Sequence, residues 1–397
     1  MQESFYDNNL IQQNGQLPCM ARVMTNMLYH SERNGGVSMH QSVGILLDRE
    51  TFRRIPSRRT GNERLALYNK AAKELDLKLF YMSLEQVGTN SALGYTYNKA
   101  KYRLERQSIP KVTHNRQIAL SPSLKAKLKL LSKSSLIFNR QNRYDKFKIY
   151  KLIYQNPELR EYLPVSMRYS QARLKDAMNT YSSLFIKPTN NSVGDGIIKL
   201  KKQQSGNWLF YWKKGSPKSL SSQQVVNRVN KYVGRQHYMI QEAIPLATYH
   251  GRPYDLRVSV QRGATGSWQV TGMIGRVAAK GRHVTNVAKG GKPKKVETLF
   301  RTSEFEPEAM KTAIRAVALK IMNDLSGKLL HVADVGLDLG IDTQGHIKLI
   351  EMNGRDQRYT FKKAKMHATF YRTYETPLQY AKYLLTQKST TIMTRKR

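Results

Sequence analysis

The sequence predicts a protein of mixed class, α/β and α+β: a small α/β unit followed by a larger α+β architecture. Its 397 residues, 40% hydrophobic and 24% charged, suit two or three globular domains with sizeable cores and exclude collagen-like, mucin-like and wholly disordered chains. A strand, helix, strand pattern opens at Ser42. Beyond Tyr181 the chain turns strand-rich, with one long amphipathic helix near its end.

Residues 1–40 are rich in Asn and Gln, show no sustained period and carry a net charge of about −1, so they read as a mobile tail. Val43-Gly44-Ile45-Leu46-Leu47 is a short apolar strand. Leu65, Tyr68, Ala71, Ala72 and Leu75 share one helical face, and Leu79-Phe80-Tyr81-Met82 is the next strand, which predicts a parallel crossover unit. Ser121-Pro122 has the form of an N-cap and first helical position, followed by Leu124, Leu128 and Leu131 on one face with lysines beside them. That helix is either a solvated basic face or a surface for nucleic acid or another polymer.

Further on, Leu184 to Pro188 is an apolar strand ended by proline. Ile198 and Leu200 alternate with lysines, and Trp208, Phe210 and Trp212 alternate across a turn at Ser205-Gly206, which makes a hairpin. Strands follow at 238–242, 256–260 and 268–274. A helix from Pro307 carries Met310, Ile314, Val317, Ile321 and Leu325 on one stripe, with Gly327 as its stop. Two strands around 336–339 and 347–351 flank a turn at 342–345, and the last ten residues read as a frayed basic tail.

Charge sets this chain apart: 67 Lys+Arg against 28 Asp+Glu give +39. Such an excess predicts attraction to polyanions and says nothing about fold. It is dense in 98–160, which holds 16 Lys+Arg against three acids, and in 276–296, which holds seven and no acid. The latter segment is either a solvated loop or a lid that closes on an anion. One cysteine, Cys19, rules out an internal disulfide or a multi-cysteine zinc site, no apolar run is long enough to span a membrane, and Met1-Gln2-Glu3-Ser4 lacks signal-peptide character. A cytoplasmic location is expected.

Two constellations carry chemistry. Lys187 ends an apolar strand and runs into Pro-Thr-Asn-Asn-Ser-Val-Gly-Asp-Gly, a small-residue loop that could cradle phosphate on backbone N–H groups or could be an ordinary glycine-rich turn. It lacks the Gly-Lys-Ser/Thr ending of a nucleotide-triphosphate P-loop. Glu351 and Asn353 are two apart and face one side of a strand, where Asp338 on a neighbouring strand can join them. Two carboxylates and an amide oxygen suit Mg²⁺; the alternative is a pair of acids salt-bridged to local arginines. Between them Arg257 and Arg276 could present bidentate forks to phosphate or carboxylate.

In order and spacing, Val43-Gly44-Ile45-Leu46, His114-Asn115-Arg116, Asp145-Lys146, Phe185-Ile186-Lys187-Pro188, Gln241-Glu242-Ala243-Ile244, Asp255-Leu256-Arg257-Val258 and Leu349-Ile350-Glu351-Met352-Asn353-Gly354-Arg355-Asp356 resemble the ATP-grasp superfamily, and most of all its YheC/YheD group of endospore coat-associated proteins. The Asp-x-Arg, Thr-Asn and Gly-Gly elements also look like the ribosomal-protein-modifying glutamate ligases. The resemblance implies an ATP-grasp fold, two α+β subdomains clamping ATP, preceded by a small Rossmann-like domain. The expected division is a tail at 1–40, the N-terminal α/β domain at 41–135, the ATP-grasp domain at 136–387 and a basic tail at 388–397.

The same resemblance implies that Lys146 and Lys187 contact ATP phosphates, with Ser192, Gly194 and Gly196 in the phosphate loop. Gln241, Glu242 and Ala243 would line the adenine hinge, and Asp255 would lie near the ribose or triphosphate. Arg276 and Asn286 would meet the γ-phosphate. Asp338, Glu351 and Asn353 would hold Mg²⁺, with Mn²⁺ as a substitute, and Arg257 and Arg355 would serve an acyl-phosphate or the substrate carboxylate. Asp195 departs from the pattern by adding negative charge beside the phosphates. The implied activity is carboxylate ligation to an amine or thiol, with an acidic substrate and spore-coat proteins or an anionic polymer as partners. A structural coat protein that binds polyanions is the alternative, and an RNA-binding protein a weaker third.

Overall fold

The computed structural model describes residues 41–394 apart from 191–195, 213–215, 281–284 and 286–289. The expected tail at 1–40 lies outside the described residues, as do Ser192, Gly194, Asp195 and Asn286. Three six-stranded sheets organise the chain.

The first sheet contains β1 (Gln41–Leu46), β2 (Leu77–Met82), β3 (Ser91–Asn98), β4 (Lys101–Ser108), β5 (Val112–Asn115) and β6 (Leu136–Phe138), in the order β4-β3-β2-β1-β5-β6. β2, β1, β5 and β6 run parallel, as the crossover reading predicts, and β3 and β4 form an antiparallel edge hairpin. The sheet thus continues to Phe138, past the division expected after residue 135. Helix α1 (Arg49–Arg53) starts at Asp48, whose carboxylate accepts from the Thr51 N–H at 2.9 Å. α2 (Leu65–Glu74) packs Leu65, Tyr68, Ala71 and Ala72 inward, and α3 (Pro122–Ser134) begins at Ser121 as its cap predicts.

The second sheet has the order β11-β10-β9-β8-β12-β7, from β7 (Ser166–Arg168), β8 (Ser183–Pro188), β9 (Ile198–Lys202), β10 (Trp208–Trp212), β11 (Lys218–Leu220) and β12 (Tyr238–Glu242). α4 (Lys146–Tyr154) leads into it. α5 (Gln171–Thr180) and α6 (Ser222–Val233) cover one face, burying Leu184, Ile186, Ile198, Leu200 and Ile240. By strand alternation Lys187, Met239 and Gln241 point to the other face.

The third sheet runs β16-β15-β14-β17-β18, from β14 (Arg252–Arg262), β15 (Trp268–Val277), β16 (Lys292–Lys294), β17 (Asp334–Ile341) and β18 (Ile347–Asn353), with β13 (Thr248–Tyr249) paired to β14. The basic segment 276–296 therefore includes strand at both ends. α7 (Val296–Thr302) and α8 (Pro307–Ser326) back this sheet, and Ile314, Val317, Ile321 and Leu325 enter its core. Gly327 keeps φ −73°, so α8 does not end in a left-handed cap; the Lys328 and Leu329 N–H groups close one more right-handed turn on the Leu325 carbonyl. After α9 (Tyr359–Lys363), α10 (His367–Thr394) crosses the opposite face of β14 and β15 and packs on α2. The expected basic tail at 388–397 is thus helical through Thr394, because neither glycine nor proline interrupts the chain after Pro377.

Candidate functional site

The open face of the second sheet meets the third sheet across a cleft lined by Lys146, Ile149, Tyr150, Leu163, Lys187, Met239, Gln241, Leu349, Ile350, Glu351 and Met352. Polar side chains from both walls converge in an otherwise apolar slot. Lys146, the first residue of α4, stands 3.4 Å from Glu351. The Lys187 ammonium donates to Gln241 Oε1 at 2.6 Å, and Gln241 Nε2 donates to Ser166 Oγ at 2.9 Å. Burial pushes the Lys187 amine down to about 8, helped by Lys146 and opposed by Glu351.

Beside the cleft, Asp255, Arg257, Arg276 and Asp338 of the third sheet interlock with Asp356 in the loop after β18. The Arg276 guanidinium donates to both Asp255 oxygens, at 2.7 and 2.6 Å, and lies 3.1 Å from Asp338. Arg257 donates to Asp338 at 2.7 Å and to Asp356 at 3.2 Å, while Thr285 and Ser259 hydroxyls donate to Asp255 and Asp356. Burial alone would raise the Asp338 carboxyl, but Arg257 and Arg276 hold it below its ordinary range. Asp356 goes the other way: burial raises it, with Arg257 opposing. Gly336 is required by this packing, since a Cβ there would stand 2.6 Å from an Asp356 oxygen and 3.0 Å from the Arg257 chain.

Asp338 lies opposite Glu351 in the β17–β18 register, and Gly336 opposite Asn353. The Asn353 amide nitrogen approaches Asp338 at 3.3 Å, which turns its oxygen toward other partners. This donor set fits a hard cation that relies on substrate phosphates: two carboxylates and an amide oxygen share one face. Among the described residues no group of three or more His, Cys, Asp or Glu forms a complete metal cage. The arginine partners of Asp338 match the alternative reading of this acid: Oδ1 accepts from Arg257 at 2.7 Å, and Oδ2 is approached by Arg257, Arg276 and Asn353 at 3.4, 3.1 and 3.3 Å.

Other expected residues sit elsewhere. Glu242 ends β12 and Ala243 follows it, and neither is among the residues that line the cleft: Glu242 accepts from the Val165 N–H at 2.8 Å, and the Ala243 N–H donates to the Ser183 carbonyl at 3.0 Å. Gly196 has φ +77°, and a Cβ there would lie 2.9 Å from the Tyr238 hydroxyl, so the end of the small-residue loop admits only glycine. Arg355 lines a separate cavity next to the first sheet. Sequence reasoning assigned no role to Asp356, Thr285 or Ser259. Asp356 was visible only as the residue after Asn-Gly-Arg, and Ser259 lies two along from Arg257 on the same strand face.

A family model described as YheC/D like ATP-grasp matches residues 135–384. The endospore coat-associated protein YheD of Bacillus subtilis (strain 168) is 24% identical over 306 residues, 73% of this chain and 66% of that protein, just under two thirds of its length. The endospore coat-associated protein YheC of the same organism is 19% identical over 249 residues, 62% of this chain and 68% of that protein. Among solved structures, that of the D-cycloserine synthetase DcsG superposes with a TM-score of 0.50 at 10% identity, covering 85% of this chain and 99% of the other, a likeness of fold.

Proposed function

The chain belongs to the YheC/D-like ATP-grasp family and has the ATP-grasp fold, and from that premise we propose that it is an ATP- and Mg²⁺-dependent ligase joining a carboxylate to an amine or thiol. One observation carries the reading. Lys146, Lys187 and Gln241 face Glu351 across a single cleft, with Asp338 and Asn353 on the same strand face as Glu351.

In this reading residues 136–387 clamp the nucleotide and 41–135 help to receive the substrate. Lys146 and Lys187 bind ATP phosphates, and Gln241 orients the Lys187 ammonium. Asp338, Glu351 and Asn353 hold Mg²⁺, which supplies charge neutralisation on the phosphates. Arg276 and Arg257 keep Asp338 ionised and aimed, so their first role is positioning the acids. The substrate carboxylate attacks the γ-phosphorus, the bond to the β-phosphate oxygen breaks, and ADP leaves; an amine or thiol then displaces phosphate from the acyl-phosphate. Catalysis comes from orientation and preorganised charge, with no side-chain nucleophile.

The test is thermal shift. Mg-ATP at about 100 times its dissociation constant adds ~2.7 kcal/mol of stability and raises the Tm of wild type by a few degrees, and Glu351→Ala loses most of that shift. No shift in wild type ends the ligase reading.

A second reading has its own observation. α3 and the edge strand β4 expose Lys125, Lys129, Lys133, Lys101, Arg103 and Arg106, which supports binding of an acidic polymer in a coat-like assembly. Affinity for poly-glutamate should fall steeply with salt. An affinity indifferent to salt rejects it.

A further inference from the structure

Between the segment that joins α1 to α2 and the tip of the β3–β4 hairpin lies a cavity of about 130 Å³. Small-molecule sites begin at roughly 300 Å³, so this one suits a single ring of a longer ligand held mostly on the surface. Ile55, Leu65 and Ala66 give it apolar wall, Tyr97 and Tyr102 give it rings, and Arg58 and Arg64 give it charge. Among the described residues no acid lines it.

Tyr102 is fixed by the Asn69 amide, which donates to its hydroxyl at 2.8 Å, while Tyr97 is 39% exposed with its ring centroid 4.8 Å from that of Tyr102. Both guanidiniums keep donors free. Arg58 gives one bond, to the Ala100 carbonyl at 2.7 Å, and the Arg64 side chain makes no hydrogen bond or ion pair among the described residues. Lys99 and Ala100, the two residues of the hairpin turn, have φ 45° and 60°, and Arg58, bonded to that turn, has φ 57°. Three left-handed residues without a glycine thus store strain against this cavity, as backbones do at binding sites. Next to Arg58 and Tyr102 in the chain, Arg59, Lys101 and Arg103 are exposed and extend the positive surface.

A ligand that fits here carries repeated negative charge and a flat ring. An acidic polypeptide brings the charge but no ring for the tyrosines. A nucleic-acid duplex keeps its bases stacked on one another. A single strand offers phosphates to the arginines and a base to the rings.

We propose that the cavity and the hairpin tip bind single-stranded nucleic acid, one base seated against Tyr97 and Tyr102 and the flanking phosphates on Arg58 and Arg64. Binding here requires neither the cleft between the second and third sheets nor Mg-ATP, and is independent of the ligase reading.

The test is fluorescence anisotropy of the full chain with a labelled oligo-deoxythymidine of about 15 nucleotides, enough for one such site, without Mg-ATP. Its duplex with oligo-deoxyadenosine and a poly-glutamate of equal charge are the comparisons. The single strand should bind about fivefold or more tighter than either, and its affinity should fall with salt. Tyr97→Leu should weaken the strand about fivefold or more with an unchanged salt slope, and Tyr97→Phe should bind as wild type. Arg64→Gln should lower the slope of log affinity against log salt by about 0.7, one phosphate contact. If Tyr97→Leu does not fold, the comparison ligands and Arg64→Gln carry the test. Equal or tighter binding of the duplex or of poly-glutamate, or a folded Tyr97→Leu that binds as wild type, overturns the proposal; tighter poly-glutamate binding leaves the acidic-polymer reading in its place.

Discussion

Lys187 shows how one side chain joins burial to function. Its amine titrates at about 8 because burial disfavours the ammonium, whereas an unfolded lysine titrates near 10.4. Between those values the unfolded chain binds the proton more readily. Lys187 therefore contributes stability that rises with pH from about 8 to about 10 and is lost below that window. Phosphate binding demands the opposite state. Mg-ATP affinity should weaken as pH rises from 7 to 9, and Lys187→Arg should flatten that dependence; an equal slope in the variant would reject Lys187 as the titrating group. The residue was legible in the sequence as a lysine ending an apolar strand. Its partner Gln241 was legible only as a hinge residue, because the 2.6 Å contact joins strands 54 positions apart.

At the scale of elements, β18 contains a local irregularity that builds the site. Asp338 pairs with Glu351, yet Leu339 pairs with Leu349, so Ile350 is an extra residue on that strand. Strict alternation would put Leu349 on the same face as Glu351. The bulge sends Leu349 into the core with Leu337, Leu339 and Met352 and leaves Glu351 facing the acids. Nothing in the run Leu-Ile-Glu-Met-Asn announces it. α10 has a comparable device: Pro377 has no N–H for the Thr373 carbonyl, which instead accepts from Gln261 Nε2 at 3.0 Å, and the same amide donates to Asp334 at 2.8 Å. Gln261→Leu strands both acceptors. It should cost about 1–3 kcal/mol for each, read as a lower urea midpoint.

For the whole molecule, a buried polar network ties the first sheet to the third. Asp334 at the start of β17 takes bonds from His114, Arg116 and Arg358, and Arg358 also donates to the Tyr68 hydroxyl on α2. Burial lowers His114 to about 4 against an unfolded value near 6.5, with Asp334 opposing, so the ring stays neutral when folded. The stability it protects is present above pH 6.5 and is lost as pH falls toward 4, on the order of 3 kcal/mol over the whole window. Urea midpoints at pH 7 and pH 4.5 should therefore differ, and His114→Asn should reduce the difference; an unchanged difference would assign acid lability to other groups. Of the basic segment 98–160 this network uses Arg116. Lys125, Lys129 and Lys133 on α3 and Lys101 on β4 lie on the surface, where charge governs partners more than folding.

The amino-acid order alone was enough for the strands β1, β2, β8, β9, β10, β12, β14, β15, β17 and β18 and for the helices α2, α3 and α8, because alternation, caps and turn residues are local signals that neighbouring residues carry together. It also placed Lys187 and the acids of the cleft at the ends or on the faces of those elements, whereas Lys146 entered only through the family resemblance. Tertiary structure alone decided which groups meet: that Asp338 is clasped by two arginines, that Glu242 and Ala243 are not among the residues lining the cleft, and that Glu63 and Arg355, 292 positions apart, line one cavity. Those outcomes depend on long-range pairing and on a one-residue bulge, and neither has a signature within a short stretch of chain.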